Sequence, residues 1–229
     1  MKIGIICALD TELQPFIPHM ANCRQTAKAK LTFFEGTIDK TQVAAVVCGV
    51  GKTNAALATQ ILIDTYGAQG VINSGTAGGM NPALNLFDIV ISTEAIHHDV
   101  EGGVLNRFLP WLTSAAMSSD AEFLQIAKDV ASSYEGVVHT GVMVTGDKFI
   151  VEEGRAEIIA QFAPLTVDME TASIAQVCHV NDVPYISVRT ITDTANDSGV
   201  DNFAKNCPAA SEISKEFILK MLECNRFAK

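Results

Sequence analysis

The chain has 229 residues, room for one α/β domain or two smaller ones at roughly 150 residues per domain. Its 16 Lys and Arg against 26 Asp and Glu leave a net charge of −10, which argues against a surface built to hold nucleic acid. With 48% hydrophobic and 18% charged residues it can bury a large core, which excludes intrinsic disorder and low-complexity repeats.

Residues 2–8 form a short Ile-rich run closed by Asp10 and Glu12, which predicts a buried strand rather than a leader peptide. A helical pattern over 11–20 follows. The next apolar run, 42–48, ends before Gly51 and Lys52, far short of the roughly 18 residues of a membrane span, and 53–66 carries helical spacing. Residues 70–73 and 88–94 repeat the strand pattern. The 97–119 stretch, with Gly102, Gly103, Pro110 and the single Trp111, is the least patterned, and unstructured stretches of that length are often functional. Residues 120–134 then predict a helix, 137–144 a strand, 152–162 and 170–181 two helices, 184–191 a strand and 209–227 a terminal helix.

None of these strands alternates with period two, so each wants cover on both faces. Strand and helix alternate almost throughout, which predicts an α/β fold with a central mixed, mostly parallel twisted sheet flanked by helices. No linker, repeat or like-charge block divides the chain, so one domain over 1–229 is expected. Ligands belong at the carboxyl ends of its strands. Six cysteines, Cys7, Cys23, Cys48, Cys178, Cys207 and Cys224, include no CxxC pair and read as reduced core thiols of a cytoplasmic protein.

The turn Gly49-Val50-Gly51-Lys52-Thr53 has the wrong glycine spacing for either phosphate-cradling motif. What it retains is a strand, a tight turn and a helix start, whose free N–H groups either face a polar ligand or merely pack. Asn73 to Gly79 contains only small residues after a strand, which lets backbone approach a ligand and leaves the Thr76 hydroxyl available; a crowded strand crossing is the plainer alternative. His97-His98-Asp99 lacks a third well-placed metal ligand, so no metal is expected. His139 and His179 fall in apolar patterns and read as core residues.

Three carboxylates stand where an α/β fold puts chemistry. Glu12 follows the first strand, Glu170 follows Val167-Asp168-Met169, and Asp193 ends the strand that carries Arg189. Each alone could be a helix cap. Together they suit a reaction that protonates a leaving group, stabilises a cationic sugar and activates water.

These residues, taken in order with the opening run to Glu12, Gly49 to Lys52, Asn73 to Gly79, Thr145-Gly146-Asp147-Lys148-Phe149-Ile150, Asp168 to Ala172 and Arg189 to Asp193, resemble the 5′-methylthioadenosine/S-adenosylhomocysteine nucleosidases of the nucleoside phosphorylase-like superfamily. The resemblance runs over most of the chain. It implies hydrolysis of the N-glycosidic bond of 5′-modified adenine nucleosides without a cofactor, in methionine salvage and S-adenosylmethionine recycling. It implies Asp193 as the acid at N-7 of adenine, oriented by Thr192, and Glu12 as the base for a water also held by Thr76 and Arg189. Glu170 would hold the ribose hydroxyls and Met169 would pack on the sugar. Phe149 would stack on the purine and Ile150 would read its edge through backbone groups, with Val50, Ala77 and Gly78 completing the pocket. The resemblance also implies a homodimer in which a loop closes over the 5′ substituent of the neighbour's ligand. Here that loop is replaced by residues 100–111, where Val100, Phe108, Pro110 and Trp111 would do the work.

Two rivals share this fold. A purine nucleoside phosphorylase would need cationic clamps for phosphate, yet no arginine lies among residues 1–23 and Asp10 and Glu12 would repel the dianion. A binding protein that has lost the chemistry would be expected to lack an acid, whereas all three are present. Among hydrolytic substrates, the apolar 100–111 segment favours a small thioether or methyl group over a charged amino-acid tail, with 5′-deoxyadenosine and aminodeoxyfutalosine as further possibilities.

Overall fold

The computed structural model describes residues 1–101, 103–109, 111–194, 199–224 and 226–227. In chain order the elements are β1 (Lys2–Cys7), α1 (Asp10–Leu13) running into a 3₁₀ stretch (Gln14–His19), β2 (Ala21–Lys28), β3 (Leu31–Ile38), β4 (Thr41–Val47), α2 (Lys52–Asp64), β5 (Gly70–Gly79), β6 (Ile89–His97), α3 (Val104–Phe108), β7 (Ala116–Ser118), α4 (Ala121–Ala131), β8 (Val138–Thr145), α5 (Arg155–Phe162), β9 (Thr166–Asp168), α6 (Thr171–Val180), β10 (Tyr185–Asp193) and α7 (Val200–Glu223).

The Ile-rich opening becomes the middle of the sheet. Ile3, Ile5 and Cys7 pack on one face with Phe123 and Ile126 of α4 and Phe217, Ile218 and Met221 of α7. Ile6 joins Ala44 and Val46 of β4 on the other face, under Ala55, Ala58 and Leu62 of α2 and Ile174 and Ala175 of α6. Period-two alternation is missing because neither face meets water.

Strand β1 lies between β4 and β5 and parallel to both, with Ile5 opposite Ala45 and Ile72. Strands β5 and β10 are parallel, as are β6 with β8 and β8 with β9. Antiparallel ladders join β2 to β3, β3 to β4, β5 to β9, β6 to β7 and β6 to β10. The parallel part expected from the βαβ order is thus the middle of a mixed sheet. Two-residue turns at Ala29-Lys30 and Asp39-Lys40 fold the amino-terminal edge back on itself, which only antiparallel pairing allows. Because β10 pairs with β5 as well as β6, and β9 with β5 as well as β8, strands β5, β10, β6, β8 and β9 close into a ring. Residues 8–12, 76–78, 168–170 and 189–193 meet at its edge.

Several expectations need correction. The hairpin β2–β3 falls where no strand was expected, because all eight residues of β2 are exposed and carry no burial pattern. The helix expected over 11–20 is a single α turn and a 3₁₀ stretch, since Pro15 and Pro18 each withdraw a donor. Asn73 to Gly79 is the second half of strand β5 rather than a loop. The last helix starts at Val200, with Pro208 inside it, and ends at Glu223 instead of spanning 209–227. His179 is exposed on the last turn of α6, and His139 is part-exposed beside Asp88, 3.1 Å away. Cys23 and Cys224 are exposed, while the other four thiols are buried and all six are free.

Candidate active site

The turn after β1 places Glu12. Its Oε2 accepts the N–H groups of Ala8 (2.9 Å) and Leu9 (3.1 Å). Its Oε1 accepts the N–H (2.9 Å) and hydroxyl (3.0 Å) of Thr76 from β5. Four donors therefore orient a carboxylate that is only 2% exposed. The close approach depends on a bare backbone beneath it: a Cβ on Gly75 would lie 2.5 Å from Glu12 Oε1 and 2.6 Å from Arg189 Nη1.

Arg189, in the middle of β10, is the largest charged group in the core. Its Nη2 lies 3.0 Å from Asp168 Oδ2 and 3.6 Å from Glu170 Oε2. Nε and Nη2 donate to the Thr171 hydroxyl at 3.3 and 3.1 Å, and Nη1 to the Thr76 carbonyl at 3.4 Å. Asp168 is itself held by the Thr145 hydroxyl (2.6 Å), the N–H groups of Glu170 and Thr171 (3.1 Å each) and the Thr171 hydroxyl. Burial pulls the guanidinium down, but Asp168, Glu170 and Glu12 outweigh it and hold Arg189 above its ordinary value. A buried cation needs such a paired, hydrogen-bonded partner.

Glu170 opens α6, and its Oε1 accepts the Gly51 N–H (2.9 Å) from the glycine turn after β4. Burial pushes its carboxyl up to about 7, with Asp168 adding to the effect and Arg189 opposing it. Asp193 closes β10 and is 1% exposed. Its Oδ1 accepts the Thr192 hydroxyl at 3.0 Å. The Thr192 carbonyl is held in turn by Asn206 Nδ2 of α7 at 2.8 Å.

These groups line a cavity of about 150 Å³. Its walls add Ala8, Leu9, Val50, Ala77, Gly78, Lys148, Phe149, Ile150, Val167, Met169 and Phe203. Phe149 and Phe203 meet edge to face, ring centres 5.8 Å apart at 73°, and Phe149 remains 40% exposed, which leaves aromatic surface for a planar ligand. At the mouth, Lys52 Nζ reaches Asp99 at 2.8 and 2.7 Å and Asp147 at 3.5 Å, while Asp99 also accepts the Asp147 N–H at 3.0 Å. That network ties together the segments following β4, β6 and β8. Burial pushes the Asp99 carboxyl up, but Lys52 and the Asp147 N–H together outweigh it and hold it below the usual range.

The structure thus gathers Glu12, Val50, Thr76, Ala77, Gly78, Phe149, Ile150, Met169, Glu170, Arg189 and Asp193 around one space, with Thr192 beneath it. Among the described residues of 100–111, none lines the cavity; Phe108 and Trp111 are 69% and 49% exposed, and Pro110 lies outside the described residues. Among the described residues no group of His, Cys, Asp and Glu is arranged to hold a metal. Sequence reasoning gave no role to Asp168, although a central strand arginine demands a buried acid nearby. It also missed Phe203, because the start of α7 was set beyond Pro208.

The sequence model of the phosphorylase superfamily matches residues 2–223. A 5′-methylthioadenosine/S-adenosylhomocysteine nucleosidase of Glaesserella parasuis is 38% identical over 234 residues, covering 100% of each chain. The nucleosidase of the same name from Colwellia psychrerythraea, solved in complex with adenine, superposes with a TM-score of 0.89 at 34% identity, over 97% of this chain and 95% of that one. The futalosine hydrolase of Helicobacter pylori superposes with a TM-score of 0.90 at 25% identity, over 97% of both chains.

Proposed function

Because the chain belongs to the phosphorylase superfamily, and within it to the 5′-methylthioadenosine/S-adenosylhomocysteine nucleosidases, we propose that its cavity is where it cleaves the N-glycosidic bond of 5′-modified adenine nucleosides, releasing adenine and the 5′-substituted ribose to salvage. The observation that carries this reading is three buried carboxylates with different partners around one space: Glu12 under four donors, Glu170 beside Arg189, and Asp193 beside Thr192.

In the proposed mechanism Asp193 protonates N-7, so that adenine leaves neutral and the bond to the anomeric carbon weakens. The ribosyl cation that develops meets Glu170, whose carboxylate accepts from the ribose hydroxyls and offers negative charge as positive charge grows. A water between Glu12, Thr76 and Arg189 loses its proton to Glu12 as it attacks. Phe149 stacks on the base, Ile150 meets its edge and Met169 packs on the sugar. No step calls for a metal or an organic cofactor.

Use of phosphate in place of water fits less well. The cations lining the cavity are Lys148 and Arg189, and Arg189 is already committed to Asp168 and Thr171. Chromatographic assay of adenine release from methylthioadenosine, S-adenosylhomocysteine, 5′-deoxyadenosine, aminodeoxyfutalosine and adenosine in phosphate-free buffer tests the reading. Release from a 5′-modified substrate is expected, and its loss in Asp193→Asn with ligand binding retained. A strict phosphate requirement would overturn hydrolysis, and tight binding without release would point to a binding protein.

A homodimer follows from the same reading, with residues 100–111 reaching the neighbour's pocket. The exposed side chains of Phe108 and Trp111 support it. Six free thiols suit the reducing cytoplasm.

A further inference from the structure

Arg155 is a buried cation outside the proposed chemistry. It begins α5 and is 8% exposed, although a guanidinium is costly to take from water without a charged partner. Its hydrogen-bond partners among the described residues are two backbone carbonyls: Nε donates to Val151 at 2.7 Å and Nη1 to Gly79 at 2.7 Å. Nη2 is shielded from solvent and has no hydrogen-bond partner among the described residues. The return for this burial is directional. A guanidinium is a planar fork that donates along fixed axes, which an ammonium cannot do.

Each carbonyl belongs to a residue next in sequence to one that lines the cavity. Val151 directly follows Ile150, in a stretch without regular structure between β8 and α5 that also carries Phe149. Gly79 directly follows Gly78, which pairs with Asp193 in the β5–β10 ladder and would place a Cβ 3.2 Å from Asp193 Oδ2. The fork therefore ties the segment that carries Phe149 and Ile150 to strand β5 next to the residue that pairs with Asp193.

We infer that Arg155 is a positioning residue that sets the width of the purine slot, an assignment that rests on the nucleosidase reading above. It holds Phe149 and Ile150 at a fixed distance from Asp193 and touches no reacting atom. Removing it leaves the ribose side, built from Glu12, Met169 and Glu170, in place.

The test compares wild type, Arg155→Met and Arg155→Lys by calorimetric binding of adenine and of 5-methylthioribose, and by steady-state hydrolysis of methylthioadenosine. Arg155→Met should weaken adenine by about tenfold, the scale of one charge-assisted hydrogen bond, raise KM more than it lowers kcat, and leave 5-methylthioribose binding within about twofold. Arg155→Lys keeps the cation and most of the packing, so it carries the test if the Met variant fails to fold, and it should resemble Met rather than wild type. Wild-type adenine affinity in either variant, or equal loss of both products, would overturn the inference. Failure of wild type to cleave the nucleoside at all would instead overturn the functional reading.

Discussion

Glu12 and Arg189 sit back to back over Gly75, and the room between them is less than one methyl group. Gly75→Ala must therefore push apart two side chains that are pinned by seven hydrogen-bond contacts between them. The expected cost is about 1–3 kcal/mol of stability from overpacking and about a hundredfold in kcat from displacing the proposed base, read by thermal unfolding and single-turnover cleavage; wild-type turnover would exclude this view of the site. Glu170 makes the opposite sacrifice. Burial raises its carboxyl to about 7 in the folded protein, so between its ordinary range and about 7 the folded state holds a proton that the unfolded state has lost. Stability from this group is then complete at low pH and declines as pH rises toward 7. Glu170→Gln is expected to unfold at higher temperature than wild type at pH 8, to match it near pH 4, and to lose turnover; an equal shift at both pH values would assign the effect to something other than titration.

The segments after β4, β6 and β8 carry no shared secondary structure, and Lys52, Asp99 and Asp147 join them at the mouth. Gly51 in the first segment holds Glu170, and Asp147 stands two residues before Phe149. Asp99→Asn keeps an acceptor for the Asp147 N–H and removes the charge that holds Lys52. A part-exposed ion pair contributes only ~1 kcal/mol or less, so global stability should barely move while KM rises about threefold; an unchanged KM at low and high salt would remove the network from ligand binding. Elements of this kind also mark the limit of what the sequence discloses. Buried strands such as β1 and β4 announce themselves because cover on both faces forces continuous apolar runs. Strand β2 leaves no trace because it is solvated on both faces, and the contact between Phe149 and Phe203 joins residues 54 positions apart across a helix whose start Pro208 disguises. The three acids were legible as strand-end residues; the compensation of Arg189 by Asp168 was not, since it depends on β9 lying beside β5.

On the scale of the molecule, the cavity is open where Val50 and Phe149 remain 46% and 40% exposed, and none of the described residues of 100–111 lines it. A second subunit is expected to do so. Because the chain has a single tryptophan, Trp111 reports on that contact directly: a dimer in sedimentation, with blue-shifted emission that reddens on dilution, is the expected result, and a monomer with unchanging emission would leave the pocket without its partner loop. The closed ring of strands has a different consequence, for the timing of motion. Strand β5 is paired with β1, β9 and β10 at once, so its amides can open to solvent only when several ladders part together. Deuterium uptake should be slowest from Val71 to Gly78 and fast along β2 and the mouth segments, and early uptake at Thr76 would contradict this ordering. The Thr76 peptide, whose N–H holds the proposed base Glu12, would then be among the last to exchange, keeping that end of the cavity still while the entrance breathes.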